Sequence, residues 1–246
     1  MQPLSTKETV LTINEEEKML RKVILFAACM VLLLAGVAQA DYLRLETSGV
    51  DFTNLTIHDP AMAPGGTTGT VAGRFTVDFG PSTSSFTKYQ AFCVDPATVN
   101  WNTWYNSYTM IDLPDLVPYK QAAYIYDKYG NLNASAAQIA IWEVVFEGLS
   151  GGTPGATDAD LQTQYEFYAT NINATDLADA KSYLTDALAN GSNYSNGSYH
   201  LLVSSSTQGY YLDPWQDWIV RVPEPGVLTL LGLGLVALGI TRRRTK

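Results

Sequence analysis

Two short apolar segments, one near each end of the chain, limit what the rest can fold into. Leu20-Arg21-Lys22 leads into an uncharged apolar run at residues 23–34, and a second run at 226–240 is followed by Arg242, Arg243 and Arg244. Short apolar runs with basic flanks are typical of export and sorting signals, which lie outside folded cores. About 180 residues remain between them, enough for one domain with one core.

The N-terminal segment has the three parts of a secretory signal peptide. After the basic and apolar parts comes Ala38-Gln39-Ala40, a small-x-small cleavage site. We therefore expect residues 1–40 to be removed and the mature chain to begin at Asp41. The first 18 residues are polar, so Met19 is an alternative start. Cys29 lies inside the apolar run rather than at the cleavage point, which argues against a lipoprotein.

The C-terminal segment combines a rigid polar motif with a short apolar run. In Val222-Pro223-Glu224-Pro225 the prolines fix φ and remove N–H donors, which favours an extended, exposed motif. A helix over residues 226–240 would span about 22 Å, against a hydrocarbon core of about 30 Å. The basic end is expected to stay cytoplasmic, which leaves the rest of the chain outside. An ordinary short C-terminal anchor remains an alternative.

Residues 222–246 resemble the PEP-CTERM sorting signal of Gram-negative bacteria, with all three parts in order. The resemblance implies processing by exosortase, a membrane enzyme. It also implies passage through the inner membrane, held by the C-terminal helix and facing the periplasm. The destination would be the cell surface or an extracellular matrix, and proteins of this kind often accompany exopolysaccharide or biofilm production.

The composition of the mature segment narrows the classes of function. Residues 41–222 contain 7 Lys and Arg against 19 Asp and Glu, a net charge of −12. This charge argues against nucleic acid as a partner. Phosphate-binding, calcium-loop, serine-elbow and zinc-protease motifs are absent from the sequence. We therefore expect no cofactor, no metal and no enzymatic activity.

Hydrophobic patterning predicts an α+β domain at residues 41–221, with a helical insertion in a β-sandwich or barrel. The strand-like segments are rich in β-branched and aromatic residues and lie at 43–47, 54–58, 70–79, 86–94, 200–205, 210–212 and 218–222. Residues 100–110 are interpreted as an irregular loop or a strand. The helical segments lie together in the middle of the chain, at 118–129, 134–147, 158–170 and 175–189, with Asn133 or Ser135 as a possible N-cap.

The candidate site is the pair Cys93 and Gln138. Cys93 is the single cysteine left after signal removal, and an exported domain with one cysteine forms no internal disulfide. Gln138 shares a helical face with Ala134, Trp142 and Val145. That face is otherwise apolar, so the amide is expected to point inward. A buried amide without partners costs about 1–3 kcal/mol, so a partner or a reaction is expected.

The segments around these residues resemble the thioester domain of bacterial surface adhesins. That family has an aromatic-Cys-apolar motif on a strand and an apolar-Gln-x-x-apolar-Trp motif on a helix. The matching positions here are Phe92-Cys93-Val94 and Ala137-Gln138-Ile139-Ala140-Ile141-Trp142. The resemblance implies an internal Cys–Gln thioester, shielded by Phe92 and Trp142, that acylates an amine on a partner.

Alternatives to the thioester follow from the same residues. Cys93 could be a small core residue, with Gln138 bonded to the backbone, in a passive structural protein. Cys93 with His58 or His200 could form a cysteine hydrolase.

Two other sets of residues have competing interpretations. Glu143 and Glu147, one helical turn apart, are explained best by a solvated helix face. The tyrosines and four tryptophans could contact carbohydrate such as exopolysaccharide, although packing is their commoner use; the tryptophans are Trp101, Trp104, Trp215 and Trp218.

Overall fold

The computed structural model describes residues 41–46, 51–58, 67–95, 100–162, 168–195, 197–204 and 216–222. These ranges belong to one compact unit of the chain. The predicted signal peptide, the predicted strand at 210–212 and the tail from Pro223 onward lie outside them. Within the described ranges, no helix has both the length and the apolarity that a membrane crossing needs.

Six antiparallel strands close into a barrel in the order β1-β5-β7-β8-β4-β3, because β3 pairs back with β1. Two further strands, β2 and β6, extend the sheet beyond β3. The eight strands of the described residues are β1 (Asp41–Leu45), β2 (Asp51–His58), β3 (Thr67–Ser82), β4 (Ser85–Cys93), β5 (Trp104–Asp112), β6 (Tyr168–Thr170), β7 (Tyr199–Ser204) and β8 (Trp218–Arg221).

The long strand β3 belongs to both parts of the sheet. Its first half, up to Arg74, pairs with β2, and its second half, from Phe75, pairs with β4. Alternate residues of the second half, such as Val77, point into the barrel and are buried. Gly80 lets the β3–β4 hairpin close, because a Cβ there would lie 2.6 Å from the Cα of Phe86.

Four helices lie between β5 and β7 in the chain: α1 (Val117–Tyr129), α2 (Ala134–Ser150), α3 (Asp158–Gln162) and α4 (Ala174–Asn190). Asn133 caps α2 by accepting the Ala136 N–H, and Gly151, with φ of 85°, ends it. The predicted fold class, an α+β barrel with a helical insertion, is confirmed.

Helix α2 is the central helix of this insertion, and its first 14 residues are all buried. A helix buried on every side has no solvated face. The interpretation of Glu143 and Glu147 as a solvated pair is therefore wrong: their side chains are 0% and 2% exposed. Helix α1, helix α4 and strand β3 all pack against α2.

Two predicted elements differ from the structure. The helix expected over residues 158–170 ends at Gln162, and Tyr168–Thr170 forms β6, which pairs with the edge of β2. Thr157 and Asp160 form a capping box at the start of this short helix. Residues 100–110 are interpreted from the sequence as an irregular loop or a strand, and the structure has strand β5 at Trp104–Asp112, between β1 and β7.

Candidate functional site: the Cys93–Gln138 contact

Cys93 ends β4 at a place where the neighbouring strand turns away. The next residue, Val94, points its N–H toward β8 and donates it to the carbonyl of Asp217, the residue just before β8, at 3.0 Å. Successive residues of a strand point their backbone groups to opposite sides, so the N–H and C=O of Cys93 point toward β3. The β3–β4 pairing stops at Phe75 and Ala91. Continued in register, it would put Gly73 opposite Cys93.

The side chain of Gln138 takes the place of this missing strand. The Cys93 N–H donates to Oε1 of Gln138 at 2.9 Å, and Nε2 of Gln138 donates to the Cys93 carbonyl at 2.8 Å. Cys93 is 1% exposed and Gln138 is 0% exposed. One carboxamide therefore satisfies both backbone groups of Cys93 in a site without solvent, and it lies beside the residue that carries the thiol.

Ser135, one helical turn before Gln138, makes the equivalent contact with β3. Its hydroxyl donates to the Ala72 carbonyl at 3.0 Å, and its side chain is buried. Residues three apart on a helix lie on the same face, so α2 is bonded to both diverging strands through Ser135 and Gln138. From the sequence, Ser135 was predicted only as a possible cap. The Ser-x-x-Gln spacing in an otherwise apolar run was the signal available for this role.

The start of α2 is held by a buried carboxylate on α4. Asp176 accepts hydrogen bonds from Asn133 at 2.9 Å, from Asn173 at 2.6 Å and from Thr53 at 3.0 Å. It thereby joins the N-caps of α2 and α4 to strand β2. Asn133 lies five residues before Gln138, so this network fixes the position of the carboxamide. Asp176 was not predicted from the sequence, because two of its partners, Asn133 and Thr53, are distant in the chain.

On the other side of Cys93, Asp95 ties β4 to the segment before β8. Its Oδ2 accepts the Asp217 N–H at 2.6 Å, and its carbonyl accepts from Gln216 Nε2 at 3.1 Å. Burial, and then the nearby Asp95 carboxylate, raise the pKa of the Cys93 thiol well above its ordinary value. The thiol is therefore protonated at neutral pH.

The predicted shielding residues lie on two different elements. Trp142, one turn after Gln138 on α2, is fully buried. Phe92 is also fully buried, but adjacent strand residues point to opposite faces. Its ring packs edge-on against Tyr126 of α1, with centroids 4.8 Å apart. Phe92 therefore covers the helix side of β4, the side away from the Cys93 thiol.

The two histidines lie on other strands. His58 stacks on Tyr168 with ring centroids 4.2 Å apart, on the sheet extension of β2 and β6. His200, on β7, pairs with Asp112 of β5 at 3.4 Å. Cys93 ends β4, which pairs with β3 and β8.

The tryptophans have different environments. Trp218 is fully buried in the core. Trp101 is 38% exposed, and Trp104 is half-buried on the outside of the barrel. Trp215 lies outside the described residues.

Among the described residues, no cluster of three or more potential metal ligands is present.

Comparison with known proteins gives one family match and one structural similarity. Residues 221–244 match the family model of the PEP-CTERM protein-sorting motif. No curated protein matches the chain. The structure is similar to the N-terminal domain of the Streptococcus pyogenes pilus tip adhesin Cpa. The identity is 12% and the TM-score 0.43, over 77% of this chain and 97% of that one.

The matched segment covers the predicted sorting residues Val222, Pro223, Glu224 and Pro225 and the basic residues Arg242 to Arg244. Apart from Val222 these lie outside the described residues, as do Ala38 and Ala40 of the predicted cleavage site. The motif implies processing by exosortase. The chain carries the PEP-CTERM sorting motif and is therefore an exported protein that is sorted to the cell surface.

Proposed function

We propose that this surface protein is a covalent adhesin in which Cys93 and Gln138 form an internal thioester. One observation carries the proposal: the Gln138 carboxamide is bonded at both ends to the backbone of Cys93, with both residues buried. This holds the electrophilic carbon beside the residue that supplies the nucleophile. Such positioning replaces a bimolecular encounter with an intramolecular one.

Formation of the thioester is balanced as an exchange of ammonia for the thiol. The Cys93 Sγ attacks Cδ of Gln138, the C–S bond forms, the Cδ–Nε2 bond breaks, and the thiol proton leaves with Nε2 as ammonia. Negative charge develops on Oε1 during the attack. The Cys93 N–H already donates to this oxygen, in the manner of an oxyanion hole.

The partner reaction is acylation of an amine. A primary amine attacks the same carbon, the C–S bond breaks, and one amine proton passes to the sulfur. The partner becomes attached through an amide bond, and Cys93 becomes a free thiol. Burial of both residues shields the activated acyl group from water, so reaction requires a local opening of the site.

In this proposal, export brings the domain to its ligand. The C-terminal segment would hold the chain at the inner membrane, facing the periplasm, until exosortase acts. The exported domain would then reach the cell surface or an extracellular matrix, where amine-bearing ligands or exopolysaccharide are available. Each chain reacts once, so this is binding rather than enzymatic turnover.

Intact mass of the exported protein tests the chemistry. The thioester form is lighter than the sequence mass by one ammonia, gains one methylamine when treated with methylamine, and then exposes one alkylatable thiol. Cys93→Ala is expected to abolish the mass loss and the methylamine uptake. The matched control is Gln90→Ala, a glutamine on the same strand whose amide bonds to Thr76.

Two results would overturn the proposal. A full-mass protein with Cys93 unreactive in the folded state would identify Gln138 as a structural replacement for a strand partner. Turnover of a substrate that is abolished by Cys93→Ser would identify a hydrolase. The raised pKa of Cys93 does not favour the hydrolase, since catalytic cysteines have lowered pKa values.

A further inference from the structure

A row of aromatic and charged side chains crosses the outer face of the barrel. Arg44 of β1 lies opposite Trp104 of β5 on one side and opposite Asp78 of β3 on the other. Asp78 in turn lies opposite Lys88 of β4. Directly paired residues point to the same face of a sheet, so these four side chains form one row. Phe86, two residues before Lys88, points to this face as well. We call Trp104, Arg44, Asp78, Lys88 and Phe86 the outer row.

The aromatic part of the outer row is held together by the Arg44 guanidinium. Its Cζ lies 4.8 Å from the centroid of the Trp104 ring and 5.7 Å from that of Phe86. The two rings are 5.4 Å apart. Contacts of this kind are worth about 0.5–2 kcal/mol each. Two rings from strands that are not neighbours therefore form one amphipathic surface, with Phe86 38% exposed.

The polar part of the outer row is fixed and charge-balanced. Arg44 donates from Nε to Asp78 Oδ2 at 3.0 Å and also from Nη2. Lys88 bonds to Glu46 and lies 3.8 Å from Asp78 Oδ1. Two cations face two carboxylates, so the surface offers hydrogen-bond donors and acceptors with little net charge. Asp78 is 0% exposed, and its carboxylate lies between Arg44 and Lys88, which cover it.

These features define the ligand class. An uncharged polymer with many hydroxyl groups matches one exposed and one half-buried ring surrounded by balanced donors and acceptors. A polyanion is disfavoured, because residues 41–222 carry 7 Lys and Arg against 19 Asp and Glu. An apolar protein partner would need a larger continuous apolar patch than Phe86 and Trp104 provide. The outer face of a barrel is convex, so it suits an extended chain that lies across it rather than a small molecule enclosed in a pocket.

We infer that the outer row is a binding surface for a neutral polysaccharide, separate from the Cys93–Gln138 site. The rings of Phe86 and Trp104 stack against sugar rings, and Arg44, Lys88 and Glu46 bond to hydroxyl groups. Sorting to the cell surface brings the chain to where such polymers occur.

The test uses the full-length chain in mild detergent, in affinity gel electrophoresis with dextran, curdlan and galactomannan as neutral probes and alginate as the anionic probe. At least one neutral polymer is expected to retard the protein. Phe86→Ala is expected to weaken that binding by about tenfold, equivalent to about 1.4 kcal/mol. The matched control is Trp101→Ala, since Trp101 is also 38% exposed but packs on Phe75, away from the outer row.

Each outcome is decisive. Retardation that falls with Phe86→Ala and Trp104→Ala, but not with Trp101→Ala, supports the inference, provided that each variant keeps the parent's melting temperature to within a few degrees. If Trp104→Ala fails to fold, binding is compared for Phe86→Ala and Arg44→Lys instead. Arg44→Lys keeps the positive charge but loses the planar guanidinium group. No binding to any neutral probe, equal loss with Trp101→Ala, or binding only to alginate overturns it. Binding is expected to survive Cys93→Ala, which separates this site from the proposed thioester.

Discussion

Glu143 on α2 is the residue whose substitution gives the sharpest quantitative test of the structure. Its side chain is 0% exposed. Oε1 accepts the Gly155 N–H at 3.0 Å, and Oε2 is buried with no hydrogen-bond partner among the described residues. Burial, and then the charges of Glu147 and Asp160, raise the pKa of Glu143 from 4.5 to about 8, although the Gly155 bond opposes the shift. At neutral pH the folded protein therefore keeps Glu143 mostly protonated.

The raised pKa makes stability fall as pH rises. Below pH 4.5 the carboxyl group is protonated in the folded and unfolded states, and it adds no pH dependence. Above that pH the unfolded state loses the proton and the folded state keeps it, so the free energy of unfolding decreases until about pH 8. One pH unit corresponds to about 1.4 kcal/mol. The penalty at pH 7 is therefore about 3 kcal/mol.

Glu143→Gln removes this ionisation and keeps an oxygen for the Gly155 N–H. We expect equal stability of variant and parent near pH 4.5 and a variant more stable by about 3 kcal/mol at pH 7. For a domain of this size that is a melting temperature higher by about 6–12 °C. Urea unfolding of residues 41–222 between pH 4.5 and 8.5 measures the difference. Asp115→Asn, at a side chain that is 90% exposed and pairs with Lys120 rather than with a histidine, is the control.

One result would refute this reasoning. A Glu143→Gln variant with the same pH profile as the parent, or with lower stability at pH 7, would mean that Glu143 is ionised in the folded protein. Its environment would then have to contain a compensating donor for Oε2.

Two further predictions concern Asp176, which positions helix α2, and Gln138 itself. Asp176→Ala leaves the side-chain donors of Asn133, Asn173 and Thr53 without their buried acceptor, and it is expected to lower the free energy of unfolding by about 2–4 kcal/mol. The control is Lys181→Ala on the same helix, which removes only a surface ion pair with Asp158 and should change the free energy of unfolding by under about 1 kcal/mol. Gln138→Leu in a Cys93→Ala background leaves both backbone groups of residue 93 unpaired, and it is expected to reduce stability by about 2–4 kcal/mol. Gln90→Leu, on the exposed face of β4, should change stability by about 0.5 kcal/mol or less. Urea unfolding measures all four, and a Gln138→Leu protein as stable as its parent would contradict the contact with residue 93.

Local patterns were enough to predict most of the elements and the burial of Gln138, but they missed the strand at Tyr168–Thr170. A polar residue in the apolar run of residues 134–147 had to face the core, whatever its partner. The identity of that partner depends on where β3 leaves β4, which is a contact between strands distant from α2 in sequence. The same limit explains the error at Glu143 and Glu147. Their spacing matches a solvated face, but the 151–157 loop after α2 folds back, with Gly155 donating to Glu143, and local periodicity contains no information about such coverage.

The geometry at Cys93 also distinguishes amines from water in the proposed reaction. Thioester formation removes Nε2, so the Cys93 carbonyl loses its buried donor, at a cost of about 1–3 kcal/mol. Attack by a primary amine leaves an amide N–H at the former position of Nε2, and the lost hydrogen bond can form again. Attack by water leaves a carboxylate instead, which has no proton to donate and places a charge in a fully buried site. The contact that makes Gln138 a structural substitute for a strand partner therefore also favours an amine as the final acceptor of its acyl group.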